Sequence, residues 1–230
     1  SAAPGEKQTV RIPRSYGRIL TVFSFCLKKH LYLCFPYNHI ILPMTEKQIN
    51  PSLADDAQIR SLYETAFPVE EQIPYEDLKR LMVEMPLDFT AYYAEEEFVG
   101  FTIVYPRKSF NWFWYFAVRE ELRGKGVGQQ ILTRLLERYK DKANILDMES
   151  PEQQVCDNRE QRRRRHAFYL RNGFRDTGVG KSFDGVDMTI LMNGEGTFTL
   201  QDYETVLNEL RSFWSAMPEE KNNETTLDRP

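Results

Sequence analysis

An α/β domain with a mixed central β-sheet flanked by helices is the fold class that three observations predict. Two runs rich in aromatic and β-branched residues, Phe89 to Glu95 and Phe98 to Tyr105, are separated only by acidic residues and form an antiparallel hairpin signal. A third run, Phe110 to Val118, leads through a glycine-rich turn into a helical repeat and then a short apolar strand, which makes a βαβ unit with parallel strands. Amphipathic segments lie on both sides of this block and supply helices to cover it. With 230 residues and 41% hydrophobic content, the chain can bury one sizeable core.

In chain order, Ser52 to Phe67 predicts a helix, with Ile59, Leu62, Tyr63 and Ala66 on one face and Pro68 as its stop. Tyr75 to Met85 predicts a second, with Leu78, Leu81, Met82 and Met85 on one stripe and prolines at both borders. The hairpin follows. Phe110 to Val118 is apolar throughout, as expected of a central strand covered on both faces. Val127 to Lys140 repeats Val127, Ile131, Leu132, Leu135, Leu136 and Tyr139 at helical spacing, and Ala143 to Met148 is the next strand. Asn158 and Gln161 suggest a capping box for a helix that Asn172-Gly173 ends. Arg175 to Lys181 and Val186 to Met192 predict two last strands around an Asp184-Gly185 turn, and Gln201 to Trp214 a docking helix.

The net charge of −4 is unevenly spread. Residues 1–43 carry six lysines and arginines against Glu6 alone, so the remaining residues are more acidic than the total suggests. An acidic body argues against a general nucleic-acid binder and suits an amine-bearing substrate. Cys26, Cys34 and Cys156 show neither paired nor metal-ligand spacing, so no metal site or disulfide framework is expected, and a reducing, cytoplasmic setting fits. Residues 1–43 read as a leader of doubtful origin that is dispensable for folding. The apolar run Ile19 to Leu27 is followed by Lys28-Lys29-His30 instead of small residues, and it falls short of a spanning helix. The domain is expected over 44–217, with a disordered polar tail over 218–230.

The segment that carries chemistry is Arg123-Gly124-Lys125-Gly126-Val127-Gly128, between a buried strand and a helix. Glycines let the backbone approach a ligand, and the first-turn N–H groups of the helix suit a pyrophosphate. A Walker loop is disfavoured, because Gly124-Lys125 is followed by Gly126 where Ser or Thr is required.

Here the sequence resembles the GNAT superfamily of N-acetyltransferases, whose pattern is Gln or Arg, two residues, Gly, one residue, then Gly or Ala. Arg123, Gly126 and Gly128 match it. The stretch from Phe116 through Val118 to Leu122 is similar to the strand end and linker before that pattern, and Phe168-Tyr169-Leu170-Arg171-Asn172-Gly173-Phe174 is similar to the family's tyrosine helix and Gly-Phe pair. The resemblance implies a splayed sheet with acetyl-CoA between the two strands of the βαβ unit. Its pyrophosphate would meet the backbone of Gly124, Lys125, Gly126, Val127, Gly128 and Gln129, beside Arg123 and the strand residues Phe116 and Val118. It implies Tyr169 as the general acid that protonates the departing thiolate. Many members carry asparagine where this chain has Arg162, so that coenzyme contact does not carry over.

Arg162, Arg165 and Tyr169 share a helix face by spacing, which would let the two guanidiniums meet a CoA phosphate; the bland alternative for the run Arg162 to Arg165 is a solvated face. Glu149, at a strand end, and Glu71 are the candidate bases for the substrate ammonium, directly or through water, with His166 a further candidate. The expected function is N-acetylation of a primary amine by direct attack on acetyl-CoA. A CoA-binding or acyl-sensing module without transfer is the rival, and a nucleic-acid binder using the arginine run is a second. The acceptor and the oligomeric state, a homodimer included, are left open.

Overall fold

A computed structural model of the chain describes residues 43–50, 53, 56–67, 72–154, 156–183 and 185–216. The expectations for the leader, the tail and Glu71 lie outside the described residues.

Among the described residues, seven strands form one open sheet in the order β1-β2-β3-β4-β5-β7-β6. They are β1 (Met44–Gln48), β2 (Asp88–Ala94), β3 (Glu97–Pro106), β4 (Phe110–Val118), β5 (Ala143–Glu149), β6 (Arg175–Phe183) and β7 (Val186–Asn193). All neighbours pair antiparallel except β4 and β5, which are parallel and joined through α3 (Val127–Arg138). The mixed sheet predicted from the hairpin and the βαβ unit is therefore present. Its first strand is a different matter: Met44-Thr45-Glu46-Lys47-Gln48 pairs with β2 although four of its five residues are exposed.

Two apolar layers sandwich the sheet. On one face lie α1 (Ala57–Ala66), α2 (Tyr75–Glu84) and α5 (Leu200–Ala216), whose Tyr63, Leu78, Leu81, Tyr203 and Val206 join a core with Phe89, Phe101, Trp112 and Trp114. On the other lie α3 and α4 (Arg159–Arg171), where Ile131, Leu132, Leu135 and Tyr169 join Phe113, Phe116, Leu146 and Met148. Every residue of β4 is buried, as its continuous apolar run requires.

Helix boundaries follow local chemistry. α1 starts at Ala57, where the Asp56 carboxylate accepts from the N–H groups of Gln58 and Ile59 at 2.9 and 3.4 Å, and Ser52, at which the helix is expected to begin, lies outside the described residues. The capping box expected at Asn158 is absent: Asn158 precedes α4, but its side chain makes no cap hydrogen bond. At the other end Asn172 and Gly173 do stop α4, with Gly173 at φ 80° and its N–H on the Leu170 carbonyl. No helix among the described residues is long and apolar enough to cross a membrane.

Candidate active site

The site begins with a pairing that stops early. β4 and β5 are in register only at Phe110 with Ala143, Asn111 with Asn144 and Trp112 with Ile145. Beyond Trp112 the two strands continue, to Val118 and Glu149, without pairing. Each keeps its outer neighbour, β3 and β7, so the backbone edges that face each other between Phe113–Val118 and Leu146–Glu149 form a cleft.

An irregularity in β4 lies at the same point. Against β3, Val104 pairs with Phe113 and Ile103 with Tyr115, which leaves Trp114 as one extra residue, a β-bulge. Because of it, the consecutive residues Trp114 and Tyr115 both belong to the α1/α2/α5 side, their rings stacked with centroids 5.4 Å apart. A bulge bends its strand, and here the bend coincides with the divergence from β5.

At the C-terminal end of β4, Glu120–Leu122 makes one 3-10 turn and the chain enters α3 through Gly124 and Gly126, at φ 73° and 85°. Gly126 is the residue that caps α3, and no side chain caps that helix. The first-turn N–H groups, which have no acceptor within the helix, are thus left for an anion, and the dipole of α3 favours one. Above Gly124, a Cβ would meet nothing within 4 Å. Arg123 is anchored by Nε on the Val118 carbonyl at 2.9 Å, and its buried Nη1 has no partner among the described residues. Lys125 is exposed, whereas Val127 and Gly128 are buried, as are Phe116 and Val118 on the strand. Gln129 contributes its backbone only, since its side-chain amide exchanges hydrogen bonds with that of Asn172, one of them 3.0 Å from Asn172 Nδ2. These residues fit a pyrophosphate.

A cavity of about 890 Å³ adjoins the loop, between the start of α1, the β2–β3 turn and Arg119 to Arg123. Asp56, Glu96, Glu97, Glu120 and Glu121 line it against two arginines, so its lining is acidic.

The arginine run divides in two. Arg163 and Arg164 are exposed, as a solvated face would be. Arg162 and Arg165 are 5% and 3% exposed and turn onto Glu149, itself 7% exposed, at 2.6 and 3.3 Å. Asn158 completes the group, donating to Glu149 Oε2 at 3.1 Å and accepting from Arg162 Nε at 2.6 Å, while Arg162 Nη1 reaches Gln153 Oε1 at 2.7 Å. The structure therefore brings Glu149, Arg162 and Arg165 together, with both carboxylate oxygens engaged and both guanidiniums turned inward. Nothing local in the sequence announces Asn158 and Gln153 as partners, because the carboxylate that organises them lies on β5.

Tyr169 is 1% exposed, one turn beyond Arg165, with the Phe168 and Phe174 rings at 5.3 and 5.4 Å. Burial raises its phenol above the ordinary range, and the nearby Arg165 cation works in the opposite direction. It belongs to the same buried cluster as Phe116, Val118, Leu146 and Met148, residues of both diverging strands. His166 points elsewhere, to the Asp176 carboxylate at 3.1 Å.

Comparisons with known proteins bear on this arrangement. Residues 87–176, which include β2 to β5, the glycine loop and α4, match the family model of the acetyltransferase (GNAT) domain. The fold is similar to a GNAT-family structure from Bacteroides thetaiotaomicron, at 22% identity over 76% of this chain and 99% of that one, with a TM-score of 0.59. It is also similar to the ribosomal-protein-S18-alanine N-acetyltransferase of Escherichia coli, at 14% identity over 68% of this chain and 98% of that one, with a TM-score of 0.51. No curated protein matches the chain.

Proposed function

We propose that this chain, whose residues 87–176 match the acetyltransferase (GNAT) domain model, moves the acetyl group of acetyl-CoA, the co-substrate of that domain's reaction, onto a primary amine by direct attack. The observation that carries the reading is the cleft between β4 and β5 ending at the uncapped start of α3. Two facing strand edges supply unpaired backbone donors and acceptors to an extended, amide-bearing arm, and the glycine loop supplies N–H groups to its phosphates.

Acetyl-CoA brings an activated thioester, and the residues of this chain orient it and handle protons. Tyr169, in the cluster beneath the cleft, is the proposed acid for the departing thiolate. Glu149, the other carboxylate candidate for the base, has both oxygens held by Arg162, Arg165 and Asn158, which favours a part in anchoring that group. Removal of the ammonium proton then falls to water or to Glu71. Cys156 donates its thiol to the Gln153 carbonyl at 3.4 Å, which supports attack by the amine itself over an acyl-cysteine route. The acidic lining of the cavity beside Arg119 to Arg123 supports a cationic acceptor.

Thiol release from acetyl-CoA, followed with a panel of diamines, amino acids and peptides with free N-termini, tests the reading. Acetyl-CoA binding accompanied by amine-dependent release and an acetylated product is expected. Binding with no release for any amine would leave a coenzyme-binding module.

A further inference from the structure

The buried charges on α4 are not explained by coenzyme binding. Glu149, Arg162 and Arg165 place two cations and one anion beneath the surface, where a well-packed apolar set of similar volume is commonly as stable or more so. Stability alone is therefore a poor reason for the arrangement. Its position is informative. Glu149 ends β5 at the open end of the cleft, and Arg165 lies one helical turn before Tyr169 on the same buried face. The Arg162–Glu149 and Arg165–Glu149 pairs fasten α4 to the edge of the cleft at that turn.

We propose that Arg165, held by Glu149 and backed by Arg162, is a positioning residue that acts through Tyr169, fixing its phenol for proton delivery and stabilising the phenolate left behind. The proposal rests on the reading of Tyr169 as the acid. In that step the Tyr169 O–H bond breaks, an S–H bond forms on the departing thiolate, and the negative charge moves to the phenol oxygen. The phenol packs against the Phe168 and Phe174 rings, where a negative charge is costly. The Arg165 cation acts against the larger effect of burial on the phenol, in keeping with this role.

A double-mutant cycle tests it. Parent, Arg165→Gln, Tyr169→Phe and the double variant are compared at saturating acetyl-CoA and the amine giving the fastest thiol release, with acetyl-CoA Kd measured by calorimetry. Arg165→Gln should lower kcat by about tenfold, within the coupling usual for neighbouring residues, and leave Kd unchanged. Arg165→Lys, which keeps the charge, should recover most of the rate. In the Tyr169→Phe background, Arg165→Gln should cost nothing further. Equal fractional losses in both backgrounds would reduce Arg165 to a structural role, and a raised Kd with kcat intact would return it to the coenzyme phosphates. Should Arg165→Gln fail to fold, the cycle is run with Arg165→Lys, whose residual loss must likewise vanish with Tyr169→Phe. An unchanged kcat in Tyr169→Phe alone would remove the acid itself, an outcome distinct from the others, and the proposal with it.

Discussion

Tyr203 of α5 donates a hydrogen bond of 2.9 Å to Asp147 Oδ2, joining the last helix to the middle of β5 in the interior. The Tyr203 ring also stacks on Trp112, with centroids 5.7 Å apart, so the same side chain packs on β4 and hydrogen-bonds to β5 just where those strands begin to part. Tyr203→Phe keeps the stacking and removes the donor from a buried carboxylate. We expect a loss of about 1–3 kcal/mol in urea denaturation, the usual cost of leaving such a group short of a partner. An unchanged midpoint would mean that α5 is held by its apolar face alone.

The glycine loop makes a sharper demand on residue type. Gly126, at φ 85°, occupies the left-handed region and begins a helix whose first N–H groups carry the proposed phosphate contact. Gly126→Val should weaken acetyl-CoA binding by at least tenfold, since backbone strain of roughly 1–2 kcal/mol adds to the volume of a branched side chain beside the phosphates. Calorimetry on the folded variant decides this. Unaltered affinity would place the coenzyme elsewhere.

Several buried tyrosines make stability depend on alkaline pH. Burial pushes the phenols of Tyr63 and Tyr92 up to about 12, and it raises Tyr139, Tyr169 and Tyr203 as well. A raised folded-state value means that below about pH 10 both states are protonated and the stability is fully present. Above that, the unfolded chain ionises first, so stability falls as pH rises from about 10 through 12. Each such tyrosine steepens the fall by up to about 1.4 kcal/mol per pH unit. Urea denaturation at pH 9, 10 and 11 should give decreasing midpoints, with phenolate absorbance appearing together with unfolding; ionisation of these rings in the folded protein at pH 10 would contradict the account.

The β2–β3 connection holds avoidable strain. Ala94 pairs with Glu97, so Glu95-Glu96 is a two-residue loop, and both glutamates sit at positive φ, 50° and 69°. Such a loop favours Asn-Gly. The double change Glu95→Asn and Glu96→Gly should raise stability by roughly 1 kcal/mol, read as a higher midpoint with an unchanged denaturant slope. A lower midpoint would mean that the glutamates make compensating interactions.

Most of the fold was legible because its signals are local. The 3.6-residue repeat of Ile131, Leu132 and Leu135 and the unbroken apolar run of β4 each announce an element from a single window of sequence. β1 was not, since Thr45 to Gln48 are polar and exposed and owe their strand form to pairing with β2. In the site, the glycine loop was legible from its residues. The inward turn of Arg162 and Arg165 was only half so: their spacing puts them on one face with Tyr169, but the carboxylate that draws them in is 13 and 16 positions away on β5. In so polar a helix nothing local marks which arginines are buried.

The bulge at Trp114 also means that the opening between β4 and β5 depends on how many residues the strand contains. Substitutions along Phe113 to Val118 alter what lines the gap. Removing Trp114 would bring β4 back into phase with β3, leave each following side chain on the face it already occupies, and let the strand run on beside β5. In this chain, then, side-chain identity tunes the lining of the aperture, while the aperture itself is counted in whole residues, a quantity that point mutation leaves untouched and that a single-codon deletion would alter at once.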